Sequence, residues 1–312
     1  MKLLITEPID FSEKALKLLK NNFKVETLDH INQLSNTIFD VEILFVRLGI
    51  VLDNDLLSKA NNLKFICTPT TGLDHIDVEY CLENKIKILS LKGEYNFLGS
   101  IPSTAEHTWT LLTAINRKLF LASTSVTQKI WDRNKFKSFN LDQKKLGILG
   151  LGRVGKQVAK YAQCFGMQVF AYDTDVSKNF EGVVLLDSPE KLFKVSDFIS
   201  IHIPFEDSNF KFVSEEYISL MKPLACIINT SRGKIWDEKA IVEALVNHNI
   251  RGVATDVVYN ELSENTFDSP ILKLDMLHHN CIITPHIAGA TYDSMKQTEI
   301  FIVNKLISEL YE

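Results

Sequence analysis

The chain has 312 residues, 46% of them hydrophobic and 23% charged, enough to bury sizeable cores and to form two domains of ordinary size. Lys and Arg total 34 against 39 Asp and Glu, a formal charge of -5 with no basic block, so nucleic acid is not an expected partner. The N-terminal stretch MKLLITEPID meets Pro and acid before a signal-peptide core can build, and no apolar run approaches the roughly 20 residues of a membrane span, so neither membrane nor secretion is expected and the cytoplasm is the default.

The first hundred residues alternate short apolar runs, KLLIT, FKVETL, EILFV, LKFICT and IKILS, with helical patterns such as DFSEKALKLLKNN. Such alternation predicts an α/β fold built on a doubly wound parallel sheet. In IPSTAEHTWTLLTAINRKLFLA, Ser103 and Glu106 have capping-box spacing, and one long helix is expected from about Ser103 to Ala122. After a polar stretch a second alternating series opens at Leu146, with strands expected near GILGL, QVFAY, FISIHI, CIINTS, RGVATDV and CIITPHI. The five cysteines, Cys67, Cys81, Cys164, Cys226 and Cys281, form no C-x-x-C pair and read as reduced core thiols, with no metal site.

Gly150, Gly152 and Gly155 make a G-x-G-x-x-G loop between an apolar strand and the helical pattern RVGKQVAKYAQCFG. The first glycine permits a tight turn, the second admits a pyrophosphate, and the third lets helix pack on strand. Gly166 stands where that helix should stop, and Asp173 follows 18 residues after Gly155, where a carboxylate can accept hydrogen bonds from a ribose diol. Thr174 and Asp175 come next, with no adjacent Arg or Lys to welcome a 2'-phosphate, which favours NAD over NADP.

Three polar residues follow apolar strands of this second series: Arg232 in IINTSRG, Glu261 after RGVATDV, and His286 after Pro285 in CIITPHIAGAT. Together they supply an anion clamp, an orienting carboxylate and an acid/base group at the carboxyl ends of strands, where open α/β sheets place ligands.

The chain resembles the D-isomer-specific 2-hydroxyacid dehydrogenases over nearly its whole length, through TTGLDHID (70–77), STAEHT (103–108), GILGLGRVG (147–155), HIP (202–204), NTSRG (229–233), TDV with Glu261, and TPHIAGAT (284–291). The resemblance implies two doubly wound domains: a flavodoxin-like substrate domain of residues 1–101 plus 288–312, and a Rossmann NAD-binding domain, 102–287, inserted in it. It implies the phosphoglycerate dehydrogenase-like form without a C-terminal regulatory domain, and a homodimer through the NAD domains with the helix after Pro102 as interface. It assigns Arg232 to the substrate carboxylate, His286 with Glu261 to acid/base chemistry, and Thr70, Thr71, Gly72 and Arg47 to substrate binding. Cofactor contacts are expected from Gly150, Gly152, Arg153, Val154, Gly155, Asp173, His202, Pro204, Thr230 and Asp256, the last against the nicotinamide amide. Phe97 and Leu98 either line the substrate pocket or merely pack. The implied activity is hydride transfer between NAD and a small D-2-hydroxy acid or its 2-oxo partner; an NAD(H)-sensing interaction protein, like the co-repressors that share this scaffold, is the alternative.

Overall fold

In the computed structural model, which describes residues 1–263 and 265–311, the chain divides into two compact units, Met1–Ile101 with Ala290–Glu312, and Pro102–Gly289. The first unit resumes at Ala290, two residues beyond the expected 288.

The first unit holds five parallel strands, β1 (Lys2–Ile5), β2 (Lys24–Thr27), β3 (Ile43–Phe45), β4 (Phe65–Cys67) and β5 (Lys87–Leu89), in the order β2-β1-β3-β4-β5. This is the flavodoxin-type order. The inner strands β1, β3 and β4 read as apolar runs because both faces are covered: Leu4, Leu44 and Ile66 enter one core, while Leu3, Ile5, Ile43, Phe45 and Cys67 enter the other. Each such side chain, fully buried, contributes about 1.5–3 kcal/mol. The second core is closed by the helix Glu13–Asn22, through Ala15 and Leu19, and by the last helix, Tyr292–Tyr311, through Ile302, Val303 and Leu306.

The second unit holds seven parallel strands, β6 (Lys145–Leu149), β7 (Gln168–Tyr172), β8 (Val183–Leu185), β9 (Phe198–Ile201), β10 (Cys226–Asn229), β11 (Gly252–Thr255) and β12 (Cys281–Ile283), in the order β12-β11-β10-β9-β6-β7-β8. The winding direction reverses between β6 and β9, which makes their carboxyl ends the topological switch point. Alternation again splits the strands between two cores, Ile199, Ile227 and Val253 on one face and Phe198, Ile228 and Ala254 on the other.

Two local expectations are corrected. The helix that opens the second unit runs only Ser103–Asn116, and a separate helix, Leu119–Thr127, follows. Lys118 between them is left-handed (φ 49°), and Arg251 takes the Asn116 carbonyl from Nη1 (3.1 Å) and its side-chain oxygen from Nη2 (3.0 Å). A distant guanidinium thus draws away the acceptor that would have continued the ladder. Nor does Ser103 cap that helix: Pro102 holds the cap position without a side-chain bond, and Ser103 is the buried first helical residue.

Candidate active site

The glycine loop follows β6 at the switch point, and its three glycines serve three distinct purposes. Gly150 is left-handed (φ 96°), and a Cβ there would lie 2.8 Å from the His202 carbonyl carbon. Gly155 packs the helix Arg153–Cys164 so tightly that a Cβ would meet the Gly150 oxygen at 2.3 Å. At Gly152, by contrast, a Cβ would meet nothing within 4 Å. The open space at the start of a 12-residue helix is a cradle for a dinucleotide's phosphates, so the residues present fit such a group. Gly166 ends that helix in the left-handed conformation (φ 74°).

Asp173, at the end of β7, is buried and accepts from the Leu151 amide at 2.8 Å, bracing the glycine loop. It also accepts from Lys178 Nζ on both oxygens, at 3.0 and 2.9 Å. The region is therefore not free of cations, as its immediate sequence neighbours suggested. Arg153 and Val154 open the helix beside this loop. His202, beyond β9, shares a 2.8 Å bond between Nε2 and Ser200 Oγ, and burial, reinforced by the Arg153 charge, pushes its pKa down to about 3. Pro204 is exposed, its carbonyl accepting from Asn209 Nδ2.

Arg232 follows β10 and is half-buried; its Nη1 donates to the Ser231 carbonyl at 2.8 Å. The turn that presents it is held by Asn229, whose Oδ1 accepts from Ser231 N (3.0 Å) and whose Nδ2 donates to the Arg232 carbonyl (3.0 Å). Gly233 comes next, where a Cβ would lie 2.1 Å from the Val258 carbonyl carbon. Only glycine lets the Arg232 turn press against the loop that carries Glu261.

Glu261 and His286 meet: Nδ1 of the imidazole lies 2.7 Å from Oε1. The Val258 amide donates to the other carboxylate oxygen at 3.4 Å. Buried Glu238 ties down the same loop, accepting from the Tyr259 amide (2.7 Å) and from Ser269 Oγ (2.5 Å). His286 itself is left-handed (φ 54°), a conformation few non-glycine residues adopt, and its amide donates to the Asp256 carbonyl at 2.8 Å.

Asp256, expected to contact a nicotinamide amide, is 1% exposed and turned inward. Oδ1 accepts from Thr284 Oγ1 (2.5 Å) and the Ile287 amide (2.9 Å), and Oδ2 from the Ala288 amide (2.8 Å). Burial alone would raise its pKa, but these bonds, with His107 at 3.4 Å, outweigh it and hold the carboxyl below the usual range. Because the Thr284 hydroxyl hydrogen goes to Asp256, the 2.9 Å contact between Thr284 Oγ1 and His107 is a donation from Nε2. Thr108 of the same helix accepts from Thr230 at 2.7 Å, so STAEHT is the brace joining NTSRG to TPHIAGAT.

In the first unit, Thr70, Thr71 and Gly72 follow β4, and Thr70 Oγ1 donates to the Gly72 carbonyl at 2.8 Å, shaping a tight loop. Arg47 differs from expectation. Its Nε donates to buried Glu299 Oε1 at 3.0 Å, Nη2 pairs with the same oxygen, and Nη1 donates to the Ile9 carbonyl at 2.8 Å. It joins β3 to the last helix instead of standing open to a ligand. Phe97 stacks on Phe301 (centroids 4.1 Å apart) and Leu98 is core, so both pack. Among the described residues no cluster suits a metal ion and no helix is long and apolar enough to cross a membrane.

Residues 109–288 match the family profile described as D-isomer specific 2-hydroxyacid dehydrogenase, NAD binding domain. The chain is 36% identical to D-3-phosphoglycerate dehydrogenase of Methanocaldococcus jannaschii over 98% of its own length, which spans 57% of that protein. It is 34% identical to hydroxypyruvate reductase of Thermotoga maritima, over 98% of this chain and 97% of that one. Its fold is similar to that of D-lactate dehydrogenase from Aquifex aeolicus, solved with NAD and lactic acid, at a TM-score of 0.84 and 30% identity, covering 99% of this chain and 95% of that one. The chain belongs to the D-isomer-specific 2-hydroxyacid dehydrogenases, a family of NAD-binding oxidoreductases.

Proposed function

We propose that the chain is an NAD-dependent dehydrogenase of a small D-2-hydroxy acid, or equally a reductase of its 2-oxo partner, of the 3-phosphoglycerate, hydroxypyruvate or glyoxylate type. The observation that carries the reading is the 2.7 Å bond between His286 Nδ1 and Glu261, which leaves Nε2 as the nitrogen that exchanges a proton with substrate. Gly150, Gly152, Arg153, Val154, Gly155 and Asp173, with His202, Pro204 and Thr230, would hold the dinucleotide, and nicotinamide, when bound, supplies or accepts the hydride.

In the reductive direction His286 gives its proton to the developing alkoxide, and Glu261 fixes the ring's orientation. Arg232, a planar fork of donors, grips the substrate carboxylate and lowers the cost of negative charge on the neighbouring oxygen. Thr70, Thr71 and Gly72 are the first unit's own substrate-binding loop in this reading. Oxidation runs the same proton transfers backward.

A second copy of the chain is the protein partner. The helix Leu119–Thr127 and the residues after it expose Leu119, Val126 and Trp131, the last at 90%, around a groove of about 710 Å³. Apolar surface of this kind is characteristic of homodimer interfaces. Sedimentation of the wild type as a dimer and of Trp131→Glu as a monomer is the expected result.

The activity is tested by NADH oxidation against a panel of 2-oxo acids, including phosphohydroxypyruvate, with His286→Ala in parallel. Turnover lost in the variant supports the reading, and the best acid names the substrate. Tight NADH binding with no turnover of any acid overturns it in favour of a sensing role.

A further inference from the structure

The carboxylate at the ribose end of the glycine loop comes with its own counter-ion. Asp173 is 8% exposed, and its oxygens are shared among the Leu151 amide (2.8 Å), the Asp175 amide (3.0 Å) and Lys178 Nζ, which reaches both oxygens. Lys178 sits on a turn closed by its own amide donating to the Asp175 carbonyl at 3.1 Å, with its side chain about a third exposed (32%). Asp175 is held below the usual carboxylate range first by hydrogen bonds from Ser177 and then by the charges of Lys178 and Lys156. Two lysines therefore face the two acids that, read from sequence alone, would repel a phosphate here.

We propose that Lys178 is a cofactor-specificity residue that lets this site accept a 2'-phosphorylated dinucleotide beside NAD. The proposal rests on the dinucleotide-binding reading above. An unpaired Asp173 would reject a 2'-phosphate by like-charge repulsion. An ammonium bridging both its oxygens cancels that charge. Lysine's four-carbon stem is flexible, so the ammonium swings aside by a few ångströms when a ribose diol takes the Asp173 oxygens, yet remains within ionic reach of the 2' position. The two cofactors consequently act on Lys178 in opposite senses: NAD has to displace it from Asp173, and a 2'-phosphate needs it to stay, because its single charge is what cancels that carboxylate.

Calorimetric Kd values for NAD+ and NADP+, and for 5'-AMP and 2'-AMP as probes without redox chemistry, test this in wild type, Lys178→Met and Lys178→Arg. Lys178→Met is expected to weaken NADP+ and 2'-AMP by about tenfold or more, the order of one lost charge contact, while NAD+ binds as well or better. Lys178→Arg keeps the wild-type preference, and added salt weakens NADP+ more than NAD+. An NADP+/NAD+ ratio that Lys178→Met leaves unchanged overturns the proposal and spares the dehydrogenase reading. A wild type that binds neither dinucleotide brings both down.

Discussion

His286 Nδ1 lies 2.7 Å from Glu261 Oε1, although the two side chains arrive on loops after different strands, β12 and β11. A histidine whose Nδ1 is fixed in this way presents Nε2 in one orientation, the arrangement that proton transfer to a bound substrate requires. His286→Ala is expected to lower kcat by about 10²–10⁴-fold, the usual worth of general acid/base catalysis. Glu261→Gln keeps an acceptor for Nδ1 and removes the charge, so a smaller loss in kcat is expected with little change in KM. Steady-state kinetics alongside thermal melting checks it; a variant that melts early but turns over normally per folded molecule makes Glu261 merely structural.

Asp256 holds the loop that carries His286, and removing its charge should act on catalysis through position. In Asp256→Asn one acceptor becomes an NH2 facing amides that also donate, which leaves buried groups unpaired at about 1–3 kcal/mol. Transmitted to the loop, that amounts to roughly a 5–150-fold fall in kcat. Thr284→Val should fall in the same direction and Thr284→Ser, which retains the hydroxyl, should recover. Hydrogen exchange at the Ile287 and Ala288 amides, both of which donate to Asp256, is expected to quicken in the first two variants and not in the third.

Most strands of both sheets were legible because parallel strands covered on both faces must be continuously apolar. β8 was not: it is a short strand at the edge of the sheet, and Val184 within it is 53% exposed. The break at Lys118 was invisible for a different reason, since neither Gly nor Pro marks it and its cause, Arg251, lies 135 residues from Asn116. The same division runs through the site. Gly150, Arg232, Glu261 and His286 stand out because their chemistry needs particular residue types just after strands. Lys178, His107 and Glu238 have local sequence neighbourhoods that say nothing of their partners; only the fold brings them to Asp173, Thr284 and Tyr259. Their only local traces are a lysine five residues beyond Asp173 and an acid at the start of a helix with a buried face.

Arg47 is the residue for which stability and substrate binding make opposite forecasts. Glu299 is fully buried and its charge is matched by Arg47, with the Ser12 amide donating to its other oxygen at 2.7 Å. Breaking such a pair leaves an uncompensated buried charge, at about 3–5 kcal/mol. Arg47→Ala is therefore expected to lower the denaturation midpoint sharply. Arg47→Ala combined with Glu299→Leu should recover much of that loss, because the second change removes the orphaned charge. KM for the 2-oxo acid in the double variant is expected to match the wild type; a raised KM at restored stability would return Arg47 to the substrate.

His202 gives the fold a pH dependence whose sign can be worked out. Its folded pKa is pushed down to about 3 by burial and the Arg153 charge, against 6.5 for an unperturbed histidine. Between these values the unfolded chain binds a proton that the folded chain refuses, so stability falls as pH falls. The contribution is fully present above about 6.5 and is lost progressively toward 3. His202→Asn cannot take up that proton when unfolded and should lose less stability than the wild type when urea midpoints at pH 7.5 and 5 are compared. Equal losses in the two proteins would place the acid sensitivity in other groups. At neutral pH the ring is uncharged, so the tautomer decides whether Ser200 Oγ donates to His202 Nε2 or accepts from it. His202→Asn removes a ring proposed to contact the dinucleotide while leaving the backbone packed against Gly150, so it should weaken dinucleotide binding even at pH 7.5, where its effect on stability through protonation is absent.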